Sequence, residues 1–169
     1  MLLSQFPRIH LAHLPTPLEF LPRLSKHLGG PNIYVKRDDC TGLGTGGNKT
    51  RKLEFLIADA IEKKATSIIT PGAIQSNHAR QTAAAACKIG MKCELVFEKR
   101  TDNPTELYLN SGNVFLDYLF GAKIRVVDKG SDMEAEMQKV AEELRNKGEV
   151  PDRKSTRLNS SHVVISYAV

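Results

Sequence analysis

The chain has 169 residues, 41% hydrophobic and 25% charged, with a formal net charge of +5 at pH 7. This is the balance of a soluble globular protein. No run reaches the ~18 apolar residues of a membrane span, and the dispersed basic residues make no aromatic-interleaved stripe for nucleic acid. Neither a membrane nor a nucleic-acid partner is therefore expected.

The N-terminus, Met1 to Arg8, lacks a basic start and a long apolar core, so no signal peptide is expected. Cys40, Cys87 and Cys93 are odd in number and lack CxxC spacing. They read as free thiols of a reducing, cytoplasmic compartment, with no disulfide frame and no metal site.

Residues 1–31 are proline-rich, and Leu18 to Leu28 is a short helical candidate broken early by Pro22. Asn32 to Arg37, with β-branched and aromatic content, reads as a strand. Thr41 to Gly47 is a glycine-rich loop, after which an amphipathic helix is expected over about 50–64. Its apolar stripe is Leu53, Leu56, Ile57, Ala60 and Ile61.

The chain then alternates. Strands are expected over about 66–70, 93–97 and 123–127, with Pro71-Gly72 ending the first of them. Helices are expected over about 77–89, 104–120 and 132–147. Asn103-Pro104 would open the helix at 104, and Gly90, Gly121 and Gly148 would close their helices. Strict alternation at crossover length predicts an α/β fold, an open parallel sheet with flanking helices.

Two places could carry chemistry. Lys49 sits where the flexible glycine-rich approach meets a helix. An amine there can be desolvated and its pKa lowered, as an attacking amine requires. The alternative is a solvated lysine beside Arg51 and Lys52. Gln75-Ser76-Asn77-His78 lies at the carboxyl end of a strand, where open α/β sheets place ligands. Free N–H groups at that helix start could bind a carboxylate. Ser76 and Asn77 serve equally as helix caps. Asp38 and Asp39 read as a turn or as ion pairs with nearby Arg or Lys.

The wording of three stretches goes further. Lys36-Arg-Asp-Asp39, Gly46-Gly-Asn-Lys-Thr-Arg-Lys-Leu-Glu-Phe55 and Gly72-Ala-Ile-Gln-Ser-Asn-His-Ala-Arg-Gln-Thr-Ala-Ala84 resemble one family. It is the D-cysteine desulfhydrase and 1-aminocyclopropane-1-carboxylate deaminase group, enzymes dependent on pyridoxal 5'-phosphate with the tryptophan-synthase-β-like fold (fold type II). The resemblance runs from about Phe6 to Pro151, the family's N-terminal part.

The resemblance implies a lyase of amino-acid metabolism acting on a small amino-acid substrate, homodimeric at full length. Lys49 would carry the cofactor covalently and act in catalysis. Ser76 would be catalytic, and Asn77 would bind the cofactor's phenolic oxygen. Ser76, Asn77 and His78 would face the substrate carboxylate. His78 is the residue typical of the desulfhydrase branch, where the deaminase branch typically has Gln. The family's phosphate-cradling loop and catalytic tyrosines belong to its later half.

Residues 1–48 would accordingly be the N-terminal part of an incomplete large cofactor domain, and residues 49–151 a small α/β domain. Residues 152–169 show no helical or strand periodicity. They resemble the in-frame translation of a short-read sequencing adapter and are expected to form an unstructured tail that packs against nothing.

Overall fold

The computed structural model describes residues 3–154. Its centre is a four-stranded parallel sheet in the order β5-β4-β3-β6. The strands are β3 (Ser67–Ala73), β4 (Lys92–Glu98), β5 (Lys123–Val127) and β6 (Pro151–Arg153). The helices are α2 (Lys49–Glu62), α3 (Asn77–Ile89), α4 (Glu106–Asn110), α5 (Gly112–Leu119) and α6 (Met133–Asn146). Before them stand β1 (Leu18–Phe20), α1 (Pro22–Leu28) and β2 (Tyr34–Lys36), with β1 and β2 paired antiparallel.

The period-2 alternation of a strand sends successive side chains to opposite faces, and here it builds two cores. Ile68, Cys93, Leu95 and Phe97 join Leu53 and Ile57 of α2, Ala79, Ala83 and Ala86 of α3, and Val114 of α5. Ile69 and Val96 join Met137, Val140, Ala141 and Leu144 of α6 on the other face. The small side chains of α3 let it lie close to the sheet and to α2. Its start and that of α2 thus come together on one face.

The α/β class and the three central strands are as the sequence predicts. Four boundaries differ, each for a physical reason. Residues 18–20 are extended, and the helix begins at Pro22, whose missing N–H costs nothing in a first turn. β3 continues through Pro71 and Gly72, paired with Val96 and Phe97. Ile69 O accepts from Lys154 N, so odd residues of β3 turn their polar groups toward β6. β6 pairs only as far as Ile69, so the N–H that Pro71 lacks has no neighbour to miss.

The helix expected over 104–120 is two. Thr105 caps α4 by accepting from Tyr108 N at 3.2 Å, and the chain breaks at Ser111-Gly112 before α5. Finally, residues 152–154 belong to the fold. Asp152 and Arg153 pair with Ile68 and Ile69, and Lys154 is buried in an ion pair with Asp59 at 2.7 Å. A parallel edge strand needs only backbone bonds, so the segment's lack of hydrophobic pattern hid it. Residues 155–169, the rest of the expected tail, lie outside the described residues.

The N-terminal segment is tied down by one carboxylate. Fully buried Glu54 accepts from Leu11 N and Ala12 N at 3.0 Å each, and from Arg8 Nε at 2.7 Å. Against the cost of burial, these bonds hold its carboxyl below the usual range. Leu11 enters the main core, whereas Ile33 and Val35 are half-buried and Leu18, Phe20, Leu24 and Leu28 are exposed.

Candidate active site

Lys49 is the first residue of α2 and only 7% exposed. Burial lowers its amine pKa below the ordinary lysine value. The loop that delivers it is pinned at Asp38, whose backbone carbonyl accepts from Gly47 N at 3.0 Å. The Asp38 carboxylate takes Arg51 in a two-pronged pair at 2.6 and 2.7 Å and also accepts from Thr16. Asp39 pairs with Arg37. Both aspartates thus act as ion-pair partners, as expected.

Gln81 of α3 joins the two helix starts. Its Oε1 accepts from Thr50 N at 3.0 Å and from Thr50 Oγ1 at 3.1 Å, while its Nε2 donates to Asn77 O at 2.8 Å. Gly47 makes this approach possible: its φ is +134°, and a Cβ there would lie 2.5 Å from Gln81 Nε2. The residue after Lys49 is therefore two hydrogen bonds from the first residue of α3.

At that start Ser76 is the N-cap, its Oγ accepting from Ala79 N at 3.2 Å, and its carbonyl takes Arg80 N. The N–H groups of Asn77 and His78, first in the helix, have no partner within it, so the positive end of α3 is open to an anion. Ser76 is half-buried and Asn77 exposed.

His78 is placed differently from a ligand-facing side chain. It is 3% exposed, with Nε2 3.1 Å from Thr70 Oγ1. That hydroxyl gives its single proton to Lys154 O at 2.8 Å, so the His78 Nε2–H is the donor. Nδ1 is left as a buried acceptor without a partner. Burial, with Lys52 and Lys49 nearby, pushes its pKa down to about 3. The ring is neutral and cannot donate from Nδ1 to a carboxylate.

Sequence reasoning gave no role to Lys52, Arg80, Gln81 or Asn113. Lys52 is half-buried, and burial together with Lys49 lowers its amine to about 8. Buried Arg80 donates to Gly44 O, to Thr45 Oγ1 at 2.9 Å and to Gly46 O at 3.1 Å, clamping the glycine-rich loop onto α3. The signal for Arg80 and Gln81 lay in the 72–84 stretch itself. For Asn113 it was Gly112, an awkward residue inside one helix.

The arrangement concentrates donors: a desolvated amine at Lys49, a second at Lys52, two open N–H groups on α3 and the amide of Asn77. This set suits a small anionic ligand. A model of the family described as "Pyridoxal-phosphate dependent enzyme" matches residues 9–164. The chain belongs to that family.

Among its relatives are the D-cysteine desulfhydrases of Salmonella paratyphi B and Salmonella newport. Each is 49% identical over 146 residues, covering 86% of this chain and 44% of the relative. A crystal structure described as an ACC deaminase homologue superposes with a TM-score of 0.80 at 42% identity, covering 91% of this chain and 46% of that one. The chain thus spans less than half the length of these relatives. Its parallel sheet and flanking helices are those of a fold-type II enzyme of this family.

Proposed function

We propose that the full-length protein is a pyridoxal-phosphate-dependent lyase converting D-cysteine and water to pyruvate, ammonia and hydrogen sulfide. The observation that carries this reading is the buried Lys49, whose neighbour Thr50 is tied through Gln81 to Asn77 at the open start of α3. The D-cysteine desulfhydrases among the relatives support the choice of substrate. Bound at Lys49, pyridoxal phosphate supplies an electron sink for the charge left at the substrate α-carbon. Asn77 binds it from α3, and the Lys52 amine adds positive charge beside it.

The protein's own groups do the rest. Released when the substrate's amine takes its place, the Lys49 amine, its pKa lowered by burial, would take the proton from the α-carbon, and the β-thiolate would depart. Ser76, Asn77 and the first N–H groups of α3 hold the substrate carboxylate. His78 shapes that pocket from beneath. With this activity we propose a homodimeric assembly and a cytoplasmic site of action.

Aminocyclopropanecarboxylate deamination is the second reading, favoured by the structural neighbour's description. It opens a ring at a carbon that bears no proton. Assaying full-length protein on both substrates separates the two: sulfide release from D-cysteine is expected, and turnover of the cyclopropane alone would reverse the assignment. Lys49→Ala and Lys49→Arg should each abolish turnover, since a guanidinium stays protonated. Ser76→Ala should keep the cofactor and lose about 10²–10⁴-fold in kcat if its hydroxyl moves a proton, and less if it only anchors the carboxylate.

A further inference from the structure

Asn113, in the first turn of α5, makes four hydrogen bonds, and its partners fix which end of its amide is which. Arg80 Nε can only donate, and it lies 2.6 Å from Asn113 Oδ1. The Gln75 carbonyl can only accept, and it lies 2.9 Å from Asn113 Nδ2. Asn113 N donates to Gln75 Oε1 at 2.9 Å, which anchors the turn. The fourth bond runs from the same Nδ2 to Asn77 at 3.0 Å, so the Asn77 atom there must be its oxygen, Oδ1.

A primary amide can otherwise turn over at little cost, because its two ends have nearly the same shape. Here one donor-only group and one acceptor-only group decide the orientation of Asn113, and Asn113 decides that of Asn77. With its oxygen engaged, Asn77 keeps both protons of Nδ2 available at the start of α3, beside the open N–H groups. Turned over, it would present an oxygen to an anion instead.

We infer that Asn113 is a positioning residue that holds the Asn77 side-chain amide with its N–H donors toward the cofactor's phenolic oxygen. The chain of control is Arg80 to Asn113 to Asn77, from the clamp on the glycine-rich loop to the ligand. The loop that presents Lys49 and the donor that steadies its ligand are thereby set by one guanidinium. This inference rests on the cofactor reading proposed above.

Asn113→Asp is the informative variant. It keeps the size and the bond from Arg80, but its carboxylate can donate neither to Gln75 O nor to Asn77 Oδ1. The loss at Gln75 is common to every background and is read by the melting temperature, and at Asn77 the amide turns over. Asn113→Ala removes the donor without adding charge and leaves Asn77 unbiased. The readout is the equilibrium dissociation constant of pyridoxal phosphate for full-length apoprotein, with the apoprotein's melting temperature beside it.

Affinity should fall about tenfold for Asn113→Asp, as for a lost hydrogen bond to a charged group, and less for Asn113→Ala. In an Asn77→Ala background the Asp substitution should change affinity by less than about twofold. An equal loss in both backgrounds, a larger loss for Ala than for Asp, or no loss would overturn the inference. A purely structural Asn113 would give the first of these with a lowered melting temperature. Wild-type protein that binds no pyridoxal phosphate at Lys49 would overturn the cofactor reading and this inference together. Wild-type binding with an unaffected Asp variant overturns this inference alone.

Discussion

Three basic side chains, Lys49, Lys52 and His78, share one poorly solvated space, and charge there is costly. Burial alone lowers the Lys49 amine. Lys52 is brought to about 8 and His78 to about 3, in each case by burial first and neighbouring positive charge second. For His78 the folded value lies below the ordinary 6.5, so the unfolded chain binds the proton more readily. The neutral, buried ring therefore contributes stability that is fully present above pH 6.5 and is lost as pH falls toward 3. His78→Gln should flatten the decline of melting temperature with acid over that window, measured by calorimetry on the full-length protein. An unchanged acid slope would mean that the ring is protonated in the folded state. At this scale the helix starts at Lys49 and at Ser76-Asn77 were legible because local sequence marks them. Asn113 and the His78 tautomer were not, since both depend on partners more than thirty residues away or on a hydroxyl whose proton goes elsewhere.

Between elements, the break at Ser111-Gly112 does more than end a helix. It opens space for Gln75, whose Nε2 donates to Tyr108 O at 2.6 Å and to Ser111 O at 2.9 Å. Gln75 is thereby occupied inside the structure, and Ser76 and Asn77 are the residues left at the surface of α3. Gly112 has φ +59°, and a Cβ there would sit 2.9 Å from Gln75 Oε1. Gly112→Ala should therefore destabilise the protein by about 1–2 kcal/mol from the left-handed backbone alone, read as a lower denaturation midpoint. A midpoint equal to wild type would show that the turn can relax. The central strands and long helices were legible because their periodicity reports burial. A two-residue helix break and a three-residue edge strand carry no period, so proximity to Gln75 and to β3 had to reveal them.

For the molecule as a whole, the two cores divide the work. The α6 face closes the sheet with ordinary hydrophobic packing, whereas the opposite face carries α2 and α3 with their starts side by side. The glycine-rich loop is held twice, by Asp38 beneath and Arg80 from α3. That double hold fixes where Lys49 leaves the loop. The fold class followed from alternation, and the family from three short stretches. That the stretches converge on one helix pair could not be read from spacing, because Gln81 and Asn113 do the joining. The most direct measurement is to reduce full-length, cofactor-loaded protein with borohydride, digest it and locate the pyridoxyl group by mass spectrometry. Modification is expected at Lys49 and absent in Lys49→Ala. Modification at Lys52 or elsewhere, or none in the wild-type protein, would contradict it.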